Sequence, residues 1–249
     1  MSALQGQVAW VTGGSRGIGR AIATLFAREG ADIAFNHLDD DARAEEVAAE
    51  IRAMGRRVFH TSADMGDTAA IRRFAAEAQA ATRMPDVLVN NAGLNIRGAF
   101  ETLTESDFDR VMDVHIKGMF FMAQAVYPAM CARGSGRIIN MASQLAFKGS
   151  PLLTPYCAAK AAIIGFTRAL SYEAAPRGVL VNAIGPGPVE TDLTAARGPE
   201  WRRAIEASLP IGRLGHVDEI AATALLLAGP GGGFFVGACL SPNGGDVMH

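Results

Sequence analysis

The stretch Thr12-Gly13-Gly14-Ser15-Arg16-Gly17-Ile18-Gly19 decides the fold of this chain of 249 residues. An apolar run at 8–11 precedes it and a helical pattern at 20–27 follows it, so the stretch is a glycine turn between a strand and a helix. Its glycines keep side chains out of the path of a phosphate, and the helix N-terminus offers free N–H groups and the positive end of a dipole. The G-x-x-x-G-x-G spacing predicts a site for a dinucleotide pyrophosphate, although glycine clusters also form ordinary turns.

Hydrophobic periodicity predicts strands that alternate with helices along the rest of the chain. Asp39, Asp40 and Asp41 are expected to cap one helix, Asp67 a second, and Thr104 with Asp107 a third. Parallel strands need helical crossovers, so we predict an α/β protein with a doubly wound parallel sheet, a Rossmann fold of three layers in a single domain. Strands are expected at 8–11, 31–36, 58–62, 87–90, 137–141 and 179–184, and further helices at 42–54, 104–133 and 155–174.

Residues 190–209 interrupt this alternation with a Gly198-Pro199 stop and a short helical pattern around Trp201. A segment of this kind between two sheet elements is usually a lid or a wall of the substrate site. We therefore expect one dinucleotide-binding and catalytic domain over 1–249, with a substrate lid at about 190–209.

The composition favours chemistry on small molecules. With 49% hydrophobic residues and a net charge of −2, the chain can bury a large core but offers no attraction to nucleic acid or to acidic membranes. No leader pattern and no run of about 18 apolar residues is present, so we expect a cytoplasmic protein without a membrane partner. Three distant cysteines and five scattered histidines predict buried, reduced thiols, no disulfide framework and no metal site.

Three residues suggest proton-coupled hydride transfer. Tyr156 and Lys160 lie four apart at the start of a predicted helix, which places the phenol and the ammonium on one face. A phenol with a reference pKa near 10 needs a neighbouring cation before it can exchange protons at neutral pH. Ser143, just past the fifth strand, is placed to hold a carbonyl oxygen beside Tyr156.

Five motifs in register then resemble the short-chain dehydrogenase/reductase superfamily over essentially the whole chain, and its 3-oxoacyl-carrier-protein reductases in particular. They are the opening glycine stretch, Asn90-Asn91-Ala92-Gly93, Ser143, Tyr156-Cys157-Ala158-Ala159-Lys160 and Pro186-Gly187. The resemblance implies that Tyr156 is the catalytic acid/base, that Ser143 orients the substrate carbonyl, and that Lys160 binds the nicotinamide ribose and lowers the tyrosine pKa. It also implies that Asp64 contacts the adenine ring, that Asn90 steadies the central sheet, and that 184–191 receives the nicotinamide carboxamide.

The cofactor site implied by this resemblance draws residues from several strand ends. Its expected members are Gly13, Ser15, Arg16, Gly17, Ile18, Gly19, Asn36, His37, Asp64, Met65, Asn91, Ala92, Gly93, Tyr156, Lys160, Pro186, Gly187, Val189 and Thr191.

His115 departs from the family pattern, which carries asparagine at this place as a fourth catalytic residue. In the family this position acts largely through its backbone carbonyl, which holds a water in a proton relay that ends at the lysine. We hypothesise that the relay survives, so that His115→Asn leaves the rate nearly unchanged. A packing histidine, hydrogen-bonded in the core, is the equally weighted alternative.

The cofactor prediction depends on the end of the second strand, where NAD-specific folds place an acidic residue that would repel a 2′-phosphate. Asn36 stands there instead, followed by His37, and Arg16 lies where NADP-preferring relatives often keep a basic residue. Three aspartates at 39–41 argue in the other direction. We expect NADP to be preferred, with NAD as the alternative.

The expected substrate is a medium-sized carbonyl or alcohol, with a 3-oxoacyl thioester as one candidate. Residues expected by analogy to face it are mostly apolar, with two amides: Asn95, Ser143, Gln144, Leu145, Leu153, Val189, Leu193 and Trp201. Arginines on the lid, Arg197, Arg202 and Arg203, either attract an anionic carrier or form a solvated face.

Several alternatives stay open from the sequence. They are a secondary alcohol or polyol dehydrogenase that uses NAD, a non-catalytic dinucleotide-binding regulator and a halohydrin-dehalogenase-like lyase. The retained Tyr156, Lys160 and glycine stretch argue against the last two. The family resemblance also implies a homotetramer that packs through the two long helices.

Overall fold

The computed structural model describes residues 2–248 and forms one parallel sheet of seven strands. The strand order is β3-β2-β1-β4-β5-β6-β7, and every neighbouring pair is parallel. The predicted doubly wound Rossmann fold in a single domain is confirmed. The strands are β1 (Val8–Val11), β2 (Asp32–His37), β3 (Val58–Ser62), β4 (Val87–Asn90), β5 (Gly136–Met141), β6 (Val179–Ile184) and β7 (Cys239–Leu240).

Helices cover both faces of the sheet and make the other two layers. Those that position the site are α1 (Gly17–Arg28), α2 (Asp41–Ala53), α3 (Thr68–Ala81), α4 (Glu105–Met112), α5 (Gly118–Arg133), α6 (Leu145–Lys148), α7 (Thr154–Ala174), α8 (Asp192–Ala195), α9 (Gly198–Ser208) and α10 (Val217–Ala228). One core packs α1, α2 and α10 against one face, and the other packs α3, α5 and α7 against the opposite face.

The first strand shows how the sequence supplies both cores. Val8 and Trp10 point into the core formed with α3, α5 and α7, whereas Ala9 and Val11 point into the core formed with α1, α2 and α10. A strand buried on both faces reads as a continuous apolar run, which is why this segment was predictable from the sequence.

Two predicted helix caps are present and one differs. Asp67 accepts a hydrogen bond from the Ala69 N–H group, and Thr104 and Asp107 form a reciprocal capping box. Asp40 is the N-cap of α2, but its carboxylate does not bond to that helix. It accepts a hydrogen bond from the Ser15 hydroxyl at 2.8 Å, because the glycine stretch passes close to this end of α2.

The predicted long helix at 104–133 contains a π turn at Asp113–Lys117, so α4 and α5 are two segments. The N–H group of Gly118 bonds to the carbonyl of Asp113, five residues earlier. Gly118 packs so tightly against the Met65 carbonyl that a Cβ atom there would overlap it. This close approach after β3 is a tertiary constraint, and helical periodicity did not reveal it.

The predicted burial of the thiols is wrong, because Cys131, Cys157 and Cys239, all free cysteines, are only partly buried. Within residues 2–248, no helix combines the length and the apolar character needed to cross a bilayer.

Candidate active site

The site lies at the carboxyl ends of the strands, where the chain leaves β1 on one side and β4 on the other. Strand order reverses between these neighbours, and this crevice is where ligands bind in doubly wound sheets. Ser143 follows β5, which lies between β4 and β6. Loops after β4 and β6 therefore rise on either side of Ser143.

Hydrogen bonds from neighbouring strands hold the glycine stretch in place. The Gly13 N–H group donates to Asn36 Oδ1 at 3.1 Å. The Asn91 amide donates to the carbonyls of Thr12 at 2.9 Å and Gly13 at 3.1 Å. A Cβ atom at Gly19 would overlap the Gly13 carbonyl oxygen, so a glycine is needed where α1 meets the loop.

The loop geometry fits the pyrophosphate of a dinucleotide. The first turn of α1 carries no acidic side chain of its own, so no residue of the helix competes with an anion for its positive end. Gly17 has φ of +54°, and a Cβ atom there would meet only the Thr191 side chain, at 3.6 Å. Arg16 precedes α1 in an extended conformation with its side chain exposed. The crevice thus offers free N–H groups, open space and a cation together.

Polar residues predicted for the ribose end already have partners in the protein. Asn36 donates to the Ala63 carbonyl at 2.8 Å and accepts from Gly13, so its amide supports the loop. His37 is buried beside His60, and burial is the main cause that lowers its pKa. It is therefore a poor source of positive charge for a phosphate. Arg16 is the predicted cation that stays exposed at this edge.

The residues after β3, which the family resemblance predicts to contact the adenine ring, border the crevice. Asp64 bonds to Arg110 of α4 at 2.8 Å and accepts from the Gly66 N–H group at 2.8 Å. The neighbouring Met65 is buried. This ion pair fixes the loop where the family resemblance places the adenine ring.

Ser143, Tyr156 and Lys160 come together at the ends of β5 and α7. The Lys160 ammonium is buried, donates to the Met141 carbonyl at 2.6 Å and lies 5.5 Å from the centre of the Tyr156 ring. The Ser143 hydroxyl donates to Gln144 Oε1 at 2.8 Å and accepts from the Leu145 N–H group at 3.1 Å. Because the serine proton is directed at Gln144, it must rotate to reach a substrate carbonyl.

Burial dominates the electrostatics of this group. It lowers the pKa of Lys160 to about 7, because a charged ammonium loses its hydration here. It also raises the pKa of Tyr156 to about 12, an effect that the Ser143 hydroxyl opposes only in part. The lowering of the tyrosine pKa expected from the resemblance is thus not a property of the protein groups alone. It requires a further positive charge close to the phenol.

A chain of buried hydrogen bonds lies behind the site, and the sequence predicted only part of it. Asn90 donates to Asn140 Oδ1 at 2.9 Å, and Asn140 donates to the Thr167 hydroxyl at 3.0 Å. The chain links β4, β5 and α7, and so ties the strand that leads to Ser143 to the helix that carries Tyr156. Asn140 and Thr167 carried no signal in the sequence beyond being polar residues within apolar runs.

His115 lies in the π turn, with its imidazole packed against Gly93 and Tyr156. A cavity of about 10 Å³ adjoins it, lined also by Asn90 and Met141. This volume corresponds to about one water molecule. The site therefore retains room for the water that the relay hypothesis requires beside the backbone of this position.

The loop after β6 borders both the glycine stretch and Ser143. The Pro186 carbonyl accepts from the Gln144 N–H group at 3.0 Å, and Gly187 is packed against the Asn243 backbone. Val189 is buried, and Thr191 caps α8 opposite Gly17. The predicted nicotinamide segment thus spans the crevice from Ser143 to α1.

The residues predicted to face substrate differ in exposure. Asn95 is exposed in the loop after β4, Leu145 is partly buried at the start of α6, and Leu153 is buried. Gln144 is buried and holds Ser143. The Leu193 side chain lies outside the described part of the structure.

Two arginines of the segment after β6 differ in the partners of their side chains. Arg202 is paired with Glu190 and Glu206, whereas Arg197 stacks over the Trp201 ring at 4.7 Å. Burial, followed by the charge of Arg97, lowers the pKa of Arg197. Arg97 belongs to the loop after β4 and Arg197 to the segment after β6, so the effect of one charge on the other shows that these two segments come close to each other.

Comparison with known proteins gives matches over nearly the whole chain. The family model for short chain dehydrogenases matches residues 7–201. The 3-oxoacyl-[acyl-carrier-protein] reductase FabG of Staphylococcus aureus is 36% identical over 96% of this chain and 98% of that protein. The (2S)-[(R)-hydroxy(phenyl)methyl]succinyl-CoA dehydrogenase subunit BbsD of Thauera aromatica is 38% identical over 98% of each. A blue fluorescent protein from a metagenomic library, solved in complex with NADPH, is 39% identical with a TM-score of 0.94, covering 99% of this chain and 100% of that one.

Proposed function

Because this chain belongs to the short chain dehydrogenase family and is an oxidoreductase acting on CH–OH and C=O groups, we propose that it reduces a ketone to a secondary alcohol with NADPH. The observation that carries the proposal is the convergence of Ser143, Tyr156 and Lys160 at the end of β5, beside a glycine loop suited to a dinucleotide. A 3-oxoacyl thioester is the proposed substrate class.

Each of these side chains has a defined role in the proposed reaction. A nicotinamide held in this crevice would supply the hydride and, in its oxidised form, a positive charge. Ser143 turns its hydroxyl from Gln144 to the substrate carbonyl oxygen, and Tyr156 delivers the proton that the new alcohol requires. Lys160 holds the ribose and returns the proton to Tyr156, which suits an ammonium whose pKa is about 7.

The preference for NADP is proposed from Arg16. It is exposed at the N-terminus of α1 and belongs to no ion pair within residues 2–248. The Asp40 carboxylate lies beside the glycine stretch, but it already accepts a hydrogen bond from the Ser15 hydroxyl at 2.8 Å. A 2′-phosphate can therefore be met by the guanidinium, and the solved relative with NADPH supports the same choice.

We expect Arg16→Gln to raise the KM for NADPH about tenfold or more and to leave the KM for NADH nearly unchanged, because a charge-assisted contact is worth about 1.5–3 kcal/mol. Arg20→Gln is the matched control, since Arg20 lies one turn along α1 and pairs with Glu50. Wild-type enzyme that works better with NADH would contradict the NADP assignment.

The substrate class is proposed from Arg97 and Arg197. Two cations that approach each other without a protein carboxylate suit an anionic group distant from the reacting carbonyl, such as the phosphates of a phosphopantetheine carrier. The two curated relatives are named for thioester substrates of this kind, one on an acyl carrier protein and one on coenzyme A.

A panel of 3-oxoacyl thioesters, simple ketones, secondary alcohols and polyols, measured by nicotinamide absorbance with both cofactors, tests the proposal. We expect acetoacetyl-CoA to give a higher kcat/KM than the same acyl group on a short neutral thiol, and we expect Arg97→Gln to remove most of that advantage. Equal values for the two thioesters would contradict the anionic-substrate assignment but not the reduction itself.

The alternative is an alcohol or polyol dehydrogenase that works with NAD. The acidic run at 39–41, which places the Asp40 carboxylate beside the glycine stretch, is the observation that favours it. Higher turnover of a secondary alcohol with NAD than of any ketone with NADPH would select this function.

We also propose a homotetramer. Phe100, Phe108 of α4 and Phe120 of α5 are exposed, and an open groove of about 340 Å³ is lined by the first two and by Pro155 of α7. Light scattering after gel filtration tests this, with Phe120→Asp expected to dissociate the assembly.

A further inference from the structure

The imidazole of His115 is a buried titratable group that the proposed reaction does not use. It is 3% exposed, and its ring meets the Tyr156 ring edge-on, with centroids 5.4 Å apart and planes at 86°. It also fills the space beside Gly93, where a Cβ atom would come within 2.5 Å of its Cε1 atom. The ring is therefore held between the Asn-Ala-Gly turn after β4 and the tyrosine of α7.

Two backbone groups of Leu94 bear on the tautomer of this ring. The Leu94 carbonyl oxygen lies 2.8 Å from His115 Nε2, and the Leu94 N–H group is directed at the same nitrogen from 3.2 Å. These two contacts favour opposite tautomers, and we assign the proton to Nε2 because a bare Nε2 would set its lone pair against those of the carbonyl oxygen across the shorter distance. Within residues 2–248, Nδ1 has no hydrogen-bond partner.

The surroundings keep this imidazole neutral. Burial, and then the positive charge of Lys160, lower the pKa of His115 to about 3. The titratable groups that face it from α7 are Lys160 and Tyr156. Neither can supply the negative charge that an imidazolium would need at neutral pH.

The segment that His115 holds is a substrate wall of the proposed site. Leu94 is followed by Asn95 and Arg97, both exposed, and the Gly98 N–H group bonds to the Leu152 carbonyl at 3.2 Å, just ahead of α7. The loop is thus attached at two points, to His115 near its start and to Leu152 near its end.

We propose that His115 is a positioning residue: it donates Nε2–H to the Leu94 carbonyl, fixes the loop Leu94–Arg97 beside Tyr156, and so sets substrate affinity without transferring a proton. This inference rests on the proposed function, because it assigns that loop to the substrate. It differs from a relay role, which belongs to the backbone of position 115 and does not depend on its side chain.

Three variants separate the donor from the ring. In His115→Gln the amide nitrogen reaches about as far as Nε2 and keeps the donor, His115→Phe keeps the ring and loses the donor, and His115→Asn is too short to reach Leu94. We expect the Phe and Asn variants to raise the substrate KM about three- to tenfold, as the loss of one neutral hydrogen bond implies, with a smaller change in kcat. The Gln variant should recover much of the KM.

Nitrogen NMR of histidine-labelled holoenzyme tests the same proposal without turnover. The signal absent from His115→Asn is assigned to His115, and we expect it to show a neutral ring protonated on Nε2 from about pH 5 to about pH 9. NADPH affinity and the melting temperature of each variant verify that it is folded.

Several results would overturn the inference. One is a drop in kcat of about a hundredfold or more at unchanged KM in the Phe and Gln variants, which would indicate proton transfer by the ring. Others are an unchanged KM in both Phe and Asn variants, or an NMR signal that titrates or carries its proton on Nδ1. If no substrate on the panel is turned over, the proposed function fails while the NMR measurement still tests the tautomer and charge.

Discussion

Lys160→Met is expected to stabilise the cofactor-free protein while abolishing its activity. The ammonium is 5% exposed, and burial lowers its pKa from 10.5 to about 7. At about 1.36 kcal/mol per tenfold change in the ionisation constant, this costs about 5 kcal/mol of folding free energy wherever the lysine is protonated. A methionine of similar length removes that cost and fills the same space.

The substitution also removes one favourable contact. Lys160 donates to the Met141 carbonyl at 2.6 Å, and an unsatisfied buried carbonyl costs about 1–3 kcal/mol. The net gain in the free energy of unfolding near pH 7 is therefore about 2–4 kcal/mol. For a chain of this size that corresponds to a rise in Tm of about 4–15 °C.

The sign of the pH dependence follows from the direction of the pKa change. Because the pKa of Lys160 is lower in the folded protein than in the unfolded chain, the unfolded chain binds more protons between pH 7 and 10.5. Wild-type stability therefore rises with pH across this window, and the penalty is largest below it. Between about pH 7 and about pH 9 the advantage of the variant should shrink by about 2 kcal/mol.

Equilibrium urea unfolding at these two pH values, followed by tryptophan fluorescence, measures the difference. Lys117→Met is the matched control, because Lys117 is half-exposed and paired with Asp113, and it should change stability by less than about 1 kcal/mol at either pH. A Lys160→Met protein less stable than wild type near pH 7, or a difference that does not change with pH, would refute the reasoning.

Three further outcomes are expected. Tyr156→Phe should lower kcat by about 10²–10⁴-fold with NADPH affinity retained by fluorescence titration, and a wild-type rate would refute the assigned acid. Asn140→Ala should lower the free energy of unfolding by about 2–4 kcal/mol in urea, since it leaves Asn90 and Thr167 without their buried partner, and a loss below about 1 kcal/mol would show that water replaces it. Gly19→Ala should abolish NADPH binding through its overlap with the Gly13 carbonyl, and calorimetry that finds unchanged affinity would contradict the loop geometry.

Prediction from the sequence worked best where local pattern and chemistry coincide. The predicted bounds of β1, β3, β4 and β6 match the structure residue for residue. Every residue of β1 and β4 is buried, and strands buried on both faces leave a nearly unbroken hydrophobic signal, whereas β3 lies at the sheet edge and is only partly buried. The helix α10 was not predicted, although the capping box of His216 with Glu219 was present to mark its start. The strand β7 has only two residues, too few for any period to register.

For the site, the sequence predicted which residues lie together but not which hydrogen-bond partners their side chains have. Asn36 and Ser15 were predicted to contact the cofactor, yet the amide of one supports the glycine stretch and the hydroxyl of the other holds Asp40. The partner of a polar side chain depends on which distant strand or helix lies beside it, and local spacing does not contain that information.

The sequence by itself determined the parallel α/β fold, the glycine stretch and the set of Ser143, Tyr156 and Lys160, because periodicity and short spacings are properties of the chain alone. Only the tertiary structure decided the charge states of that set and the role of the unusual histidine. Burial lowers the pKa of Lys160 and raises that of Tyr156, and the π turn brings His115 to Leu94. Desolvation and hydrogen-bond partners arise from contacts between segments far apart in sequence, and so they exist only once the chain has folded.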